Sequence, residues 1–151
     1  MLVIEGRENY SEPMIFWSKS KKQHPLPKFP DTIIPTFQSL CEVISDEEVE
    51  ELKTILHSCL RLALEKSASN PNFDLPGAEA LVNCSLFLLD GYANYSEEAK
   101  RMVTGAVRYF AIGDDPFDDE IFATGLYDDK RVMNHVLEEL EIHDRYLNLE
   151  Y

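Results

Sequence analysis

Ser45-Asp-Glu-Glu48 constrains this chain more than any other feature, because it fixes where a helix must begin. The Ser45 hydroxyl can accept from the backbone N–H of Glu48 while the Glu48 carboxylate reaches back to residue 45, a reciprocal cap. Acids in that first turn also complement the positive end of the helix. Behind the cap, Val49, Leu52, Ile55, Leu56, Cys59, Leu60, Leu62 and Ala63 recur at helical spacing and predict one long helix to about Lys66. So broad an apolar stripe needs other elements to bury it.

The rest of the chain supplies them. Phe37, Leu40, Cys41 and Ile44 predict a short helix from about Thr36. Pro76 suits a helix start and Gly91 a helix stop, and between them Ala80, Leu81, Cys84, Leu86, Phe87 and Leu88 leave little polar surface. That segment is expected at the centre of the fold. Ser96 caps a fourth helix, with Glu97 and Glu98 in its first turn and Met102, Val103, Ala106, Val107, Tyr109 and Phe110 inside, ending at Gly113. The last helix is expected to start near Asp128, with Val132, Met133, Val136, Leu137 and Leu140 buried and Glu138, Glu139 and Glu141 facing water. The expected fold is mainly α: a compact four- to five-helix bundle over residues 36–151, arranged around residues 77–92. An irregular arm, residues 1–35, precedes it. Leu2-Val-Ile4 and Met14-Ile-Phe-Trp17 in that arm would suit a short hairpin, and Pro25, Pro27, Pro30 and Pro35 argue against helix. The length of 151 residues fits one domain, able to bury roughly 70% of its unfolded surface without metal or disulfide.

Charge then narrows the partners. The chain carries 14 basic and 28 acidic residues, a net charge of −14. Residues 1–75 hold 8 basic and 12 acidic, a net −4, and residues 76–151 hold 6 and 16, a net −10. Such a surface repels nucleic acid and anionic membranes and attracts cations or a basic protein surface. No apolar run approaches the roughly 18 residues of a membrane span, and Glu5 and Glu8 spoil a signal peptide, so the expected location is cytoplasmic. Cys41, Cys59 and Cys84 are odd in number, widely spaced and flanked by apolar residues, which suits buried thiols better than a disulfide framework. The sequence leaves the oligomeric state open.

One passage asks for more than packing. Between Asp114 and Asp129 lie seven carboxylates, Asp114, Asp115, Asp118, Asp119, Glu120, Asp128 and Asp129, with no Lys or Arg among them. Carboxylates so close repel one another unless something offsets them. A hard cation is one answer: Mg²⁺ or Ca²⁺ prefers oxygen ligands, and Asp114, Asp118, Asp128 and Asp129 are the candidates. The EF-hand alternation is absent, and Asp114-Asp-Pro-Phe-Asp118 has an isoprenoid-synthase spacing in a chain too short for that barrel. Local structure is a second answer, with Asp118 and Asp128 capping helix starts. The third is a basic partner, for which Phe117, Phe122, Leu126 and Tyr127 offer apolar anchors between the charges.

The string Ala106-Val-Arg-Tyr-Phe110, then Asp114 and Asp118, then Gly125-Leu-Tyr-Asp-Asp-Lys-Arg-Val132, resembles the YkvA-like family of small uncharacterised helical proteins. On that resemblance Asp128 and Asp129 match the paired acids and Tyr109 the aromatic helix end. The Ile-Pro-Asp centre of the family's turn is replaced here by Asp115-Pro-Phe-Asp118. The resemblance implies a helical fold, and the family has no settled activity to lend.

His24, His57, His135 and His143 form no recognisable dyad, and the chain lacks the nucleophile elbow, P-loop, dinucleotide fingerprint and H-E-x-x-H. The favoured reading is a non-catalytic acidic module that binds a basic protein, comparable in size and charge to immunity-type inhibitors. Against it stand a divalent-metal-dependent enzyme built on the Asp114–Asp129 carboxylates, and a scaffold whose partner sits on the proline-rich arm.

Overall fold

A computed structural model describes residues 22–112 and 122–149, with residues 122–125 described by backbone alone. The described residues form five α-helices: α1 (Ile33–Leu40), α2 (Asp46–Ser69), α3 (Leu75–Asp90), α4 (Glu97–Ala111) and α5 (Phe122–Glu139). A 3-10 turn, Tyr92–Asn94, joins α3 to α4, and no strand occurs among the described residues. The compact mainly-α bundle is as expected. The hairpin anticipated from residues 2–4 and 14–17 lies outside the described residues.

The caps form where the sequence places them. Ser45 Oγ accepts from the Glu48 N–H at 3.2 Å, and the Ser45 N–H donates to Glu48 Oε1 at 3.1 Å. Ser96 Oγ accepts from the Ala99 N–H at 3.1 Å. At α3 the cap is Asp74, whose Oδ1 accepts from the Gly77 N–H at 3.0 Å, and Pro76 falls in the first turn. The short helix is displaced. It begins at Ile33 and not near Thr36, because Pro35 sits in its first turn, where a missing N–H costs no bond. Ile44 is buried beyond the helix, its N–H donating to Tyr92 Oη at 2.9 Å.

The helix at the hub differs from the one expected. α3 contacts α2, α4 and α5, but α4 contacts all four of the other described α-helices. Small side chains along α4 make this possible: Thr104, Gly105 and Ala106 are buried in sequence. A Cβ at position 105 would lie 2.9 Å from the Phe37 ring and closer still to Cys41 Sγ, so only glycine lets α1 pack this near. Apolarity all round marks a buried helix, whereas the hub also needs thin spots where neighbours can approach.

The last helix starts earlier than Asp128. α5 runs from Phe122, so Gly125-Leu-Tyr-Asp-Asp129 lies inside it and Asp128 caps nothing. The C-terminal end closes through two backbone bonds, Glu141 N–H to Glu138 O at 3.0 Å and Ile142 N–H to Leu137 O at 2.9 Å. That pairing is a Schellman turn, with Glu141 at φ 62° where glycine is usual.

Candidate partner-binding surfaces

Of the acidic passage, Asp114, Asp115, Phe117, Asp118, Asp119 and Glu120 lie outside the described residues, and the Phe122 side chain is not described. Tyr127, Asp128 and Asp129 are described, and they do not share one surface. Successive helical residues point about 100° apart, and here Asp129 turns inward while Asp128 stays half-buried. Asp129 is only 8% exposed, so it cannot present its charge to a partner. Burial, and then the charge of Asp128, push its carboxyl well above the usual range. Burial also raises Asp128, against the opposing pull of Arg131. The half-buried Tyr109 hydroxyl is pushed up to about 12 by burial and by these two acids. Leu126, expected as a surface anchor, is buried in the core. Tyr127 is half-buried beneath the Arg131 guanidinium, 5.6 Å from its ring.

Further along α5 the polar side chains serve to tie the fold. Lys130 is buried and its Nζ pairs with Asp74 Oδ2 at 3.0 Å. Asn134, fully buried, donates to the Leu147 carbonyl at 3.0 Å and accepts from the Leu147 N–H at 2.7 Å. His135 Nδ1 donates to the His24 carbonyl at 3.0 Å. Glu138, expected to face water, instead accepts from the Gln23 and His24 N–H groups at 2.9 and 2.8 Å. Glu139 pairs with Lys22 at 2.6 Å. The arm from residue 22 onward is therefore strapped to α5, with Pro27 buried and Leu26 against the core.

No group of three or more His, Cys, Asp or Glu side chains able to hold a metal occurs among the described residues. His143 Nδ1 lies 2.7 Å from Tyr146 Oη, and the His24 ring packs against Tyr146 with centroids 4.3 Å apart and planes tilted by 42°, both structural contacts. Cys59 and Cys84 are buried and Cys41 half-buried, all as free thiols, and burial pushes Cys84 up to about 11. Among the described residues no helix is long and apolar enough to cross a membrane.

The solvent-facing charge gathers elsewhere. The start of α2 adjoins the end of α3 and the 3-10 turn, the start of α4 adjoins the end of α5, and Arg108 in the last turn of α4 pairs with Glu42 and Glu48 at the start of α2. Lys53 on α2 reaches Asp90 on α3 at 3.1 Å, and a groove of 520 Å³ joins Ser96, Glu98, Ala99 and Met102 to Glu139, Leu140 and Ile142. Asp46, Glu47, Glu50, Asp90, Glu97, Glu98 and Glu141 are all exposed there. Nearby cations are engaged: Lys53 with Glu50 and Asp90, Arg101 with Glu97, and Lys100 5.5 Å over the Tyr92 ring. The sequence carries part of the signal for this grouping, because the first turns of α2 and α4 and the last turn of α5 are each acidic.

Compared with known proteins, the chain matches no family model, no curated protein and no solved structure.

Proposed function

We propose that the protein is a non-catalytic binding module for a basic protein surface, in the manner of an acidic inhibitor or immunity-type protein. The observation that carries this reading is the acidic pole. Exposed carboxylates from α2, α3, α4 and the end of α5 outnumber the cations among them, Lys53 serving Glu50 and Asp90 and Arg101 serving Glu97. Some of these acids help cap α2 and α4, but Asp90 and Glu141 lie at helix C-terminal ends, where a negative charge opposes the dipole. The dipole therefore does not account for them, although Asp90 also pairs with Lys53 of α2. A positively charged surface meeting this pole gains in encounter rate and selectivity more than in raw affinity.

Affinity capture from native host lysate, at low and at physiological salt, tests the reading. The expected catch is a basic protein whose retention falls steeply with salt, because charges a Debye length of about 8 Å apart are screened at physiological strength. An Asp46→Asn/Glu47→Gln/Asp90→Asn variant should retain less of it. A neutral partner held equally at both salts would sink the proposal.

The arm supports a second reading. Phe29 is 82% exposed within Pro25-Leu-Pro-Lys-Phe-Pro30, so the proline-rich segment offers an aromatic contact of its own. Phe29→Ala would abolish capture on that reading and leave it unchanged on the first.

A further inference from the structure

We infer that the groove between the start of α4 and the end of α5 seats a basic amphipathic segment of a partner protein, with an apolar side chain on Met102, Leu140 and Ile142 and its cations beside Glu98 and Glu139. This rests on the basic-partner reading and gives it a place. The groove measures 520 Å³, within the range of about 300–1,000 Å³ at which clefts hold ligand groups. Its walls combine the two chemistries such a segment needs. Met102, Leu140 and Ile142 pack against the core on one side yet remain partly exposed on the other. Glu98 and Glu139 stand on opposite helices at its edges.

The electrostatics select the occupant. Glu98 has a side chain 79% exposed, with Arg101 no nearer than 4.0 Å, so its charge is largely unmet. Glu139 shows that an ammonium fits beside it, because Lys22 Nζ sits 2.6 Å away on a side chain 54% exposed. A partner's lysine can share that position while Glu138 and His135 keep the arm on α5. A second copy of the chain would bring a further charge of −14 against the same carboxylates, and a nucleic acid or anionic membrane would bring phosphates. A segment with apolar and cationic faces is what remains, docking as a helix or strand lays one face into a groove.

The test uses the full chain, labelled at its methyl groups, and two short synthetic peptides. One alternates leucine and lysine pairs, and the other replaces every leucine with serine. At physiological salt the Leu/Lys peptide should bind about tenfold more tightly than the Ser/Lys peptide, a difference of about 1.4 kcal/mol. The methyl signals of Met102, Leu140 and Ile142 should move first. Ala99→Arg, which fills the groove and adds a cation, should weaken binding about tenfold. Ala68→Arg makes the same substitution at an exposed site near the end of α2, at the far pole, and should leave binding within about twofold. Equal, salt-sensitive binding of both peptides, with Ala99→Arg behaving like Ala68→Arg, would overturn the groove and leave the basic-partner reading intact. No binding of either peptide even at low salt would overturn both. Should Ala99→Arg fail to fold, the methyl shifts of the wild type decide: movement confined to other residues overturns the groove. So would direct contacts between the Trp17 indole and the Met102 methyl in the free protein, since the chain would then fill the groove itself.

Discussion

Asp129 and Glu138 lie on the same helix, one near its start and one near its end, and the fold treats their carboxylates in opposite ways. Asp129 is buried against Asp128 and Tyr109, and no donor among the described residues offsets the burial, so its carboxyl is pushed up. For Glu138 burial also pushes upward, but the N–H groups of Gln23 and His24 outweigh it, helped by Lys22, and the net shift is downward. The difference lies in the donors supplied and not in depth alone. It also separates two uses of acid in one protein. Glu138 fastens the arm to the bundle, whereas Asp129 opposes folding whenever it is charged.

The largest expected effect comes from the cation beside Asp129. Lys130 is buried, and Lys130→Met would leave Asp74 to cap α3 without its charged partner. Breaking a buried pair from one side costs about 3–5 kcal/mol, and the 29% exposure of the Asp74 side chain tempers this to about 2–3 kcal/mol. Urea unfolding checks it by a lowered midpoint at unchanged slope. A midpoint equal to the wild type would show that the pair is not what holds α3 to α5.

Asp129→Asn should act in the other direction. A folded-state value raised above 3.8 means stability is full below that pH and is lost as pH rises through the folded value. At neutral pH the amide should therefore stabilise the protein by on the order of 1 kcal/mol, or roughly 2–4 °C in melting temperature. It should also flatten the decline in stability above pH 3.8. A lower melting temperature at neutral pH would mean that the charged carboxylate has a favourable partner, and the contrast with Glu138 would fail.

Neither behaviour was legible in the sequence, although the helix that carries both residues was. The capping box at Ser45, the cap at Ser96 and the apolar periodicities of α2 and α4 each act within one or two turns, so they survive any tertiary arrangement. Boundaries set by tertiary contacts did not: α1 absorbs Pro35, and α5 extends back to Phe122 through Gly125. Asp128 and Asp129 read alike as letters, yet a 100° step on a helix sends one toward solvent and one toward Tyr109. Glu138 reads as a water-facing acid because its donors come from residues 114 and 115 positions away. The acidic pole was half legible, since the acidic helix ends are local while tertiary contacts such as Lys53–Asp90 set where they come together.

Glu138→Gln should cost about 1 kcal/mol at neutral pH, since it removes a charge-assisted pair of bonds that is partly exposed. A folded-state value lowered below 4.5 gives stability that is present above that pH and lost as pH falls through the folded value. The variant should therefore lose its deficit in acid. Hydrogen exchange at Gln23 and His24 should quicken as the strap loosens. Unchanged exchange at those two amides would show that Lys22 and His135 hold the arm without Glu138.

The smallest effect separates backbone from charge at the same helix end. Glu141 adopts φ 62°, a left-handed conformation in which a Cβ crowds the following carbonyl and glycine does not. Glu141→Gly should relieve that crowding and also remove an acid from the negative end of α5, for a gain of about 0.5–1 kcal/mol. Glu141→Gln removes only the charge, and so should gain a few tenths of a kcal/mol at low salt and nothing at high salt. If the glutamine variant matches the glycine variant at every salt concentration, the backbone conformation carries no penalty, and the acids at this end of α5 alone oppose the helix. If the glycine variant is more stable and also binds a basic peptide less tightly than wild type, Glu141 is an acid kept at a cost to the fold, as the acidic pole requires.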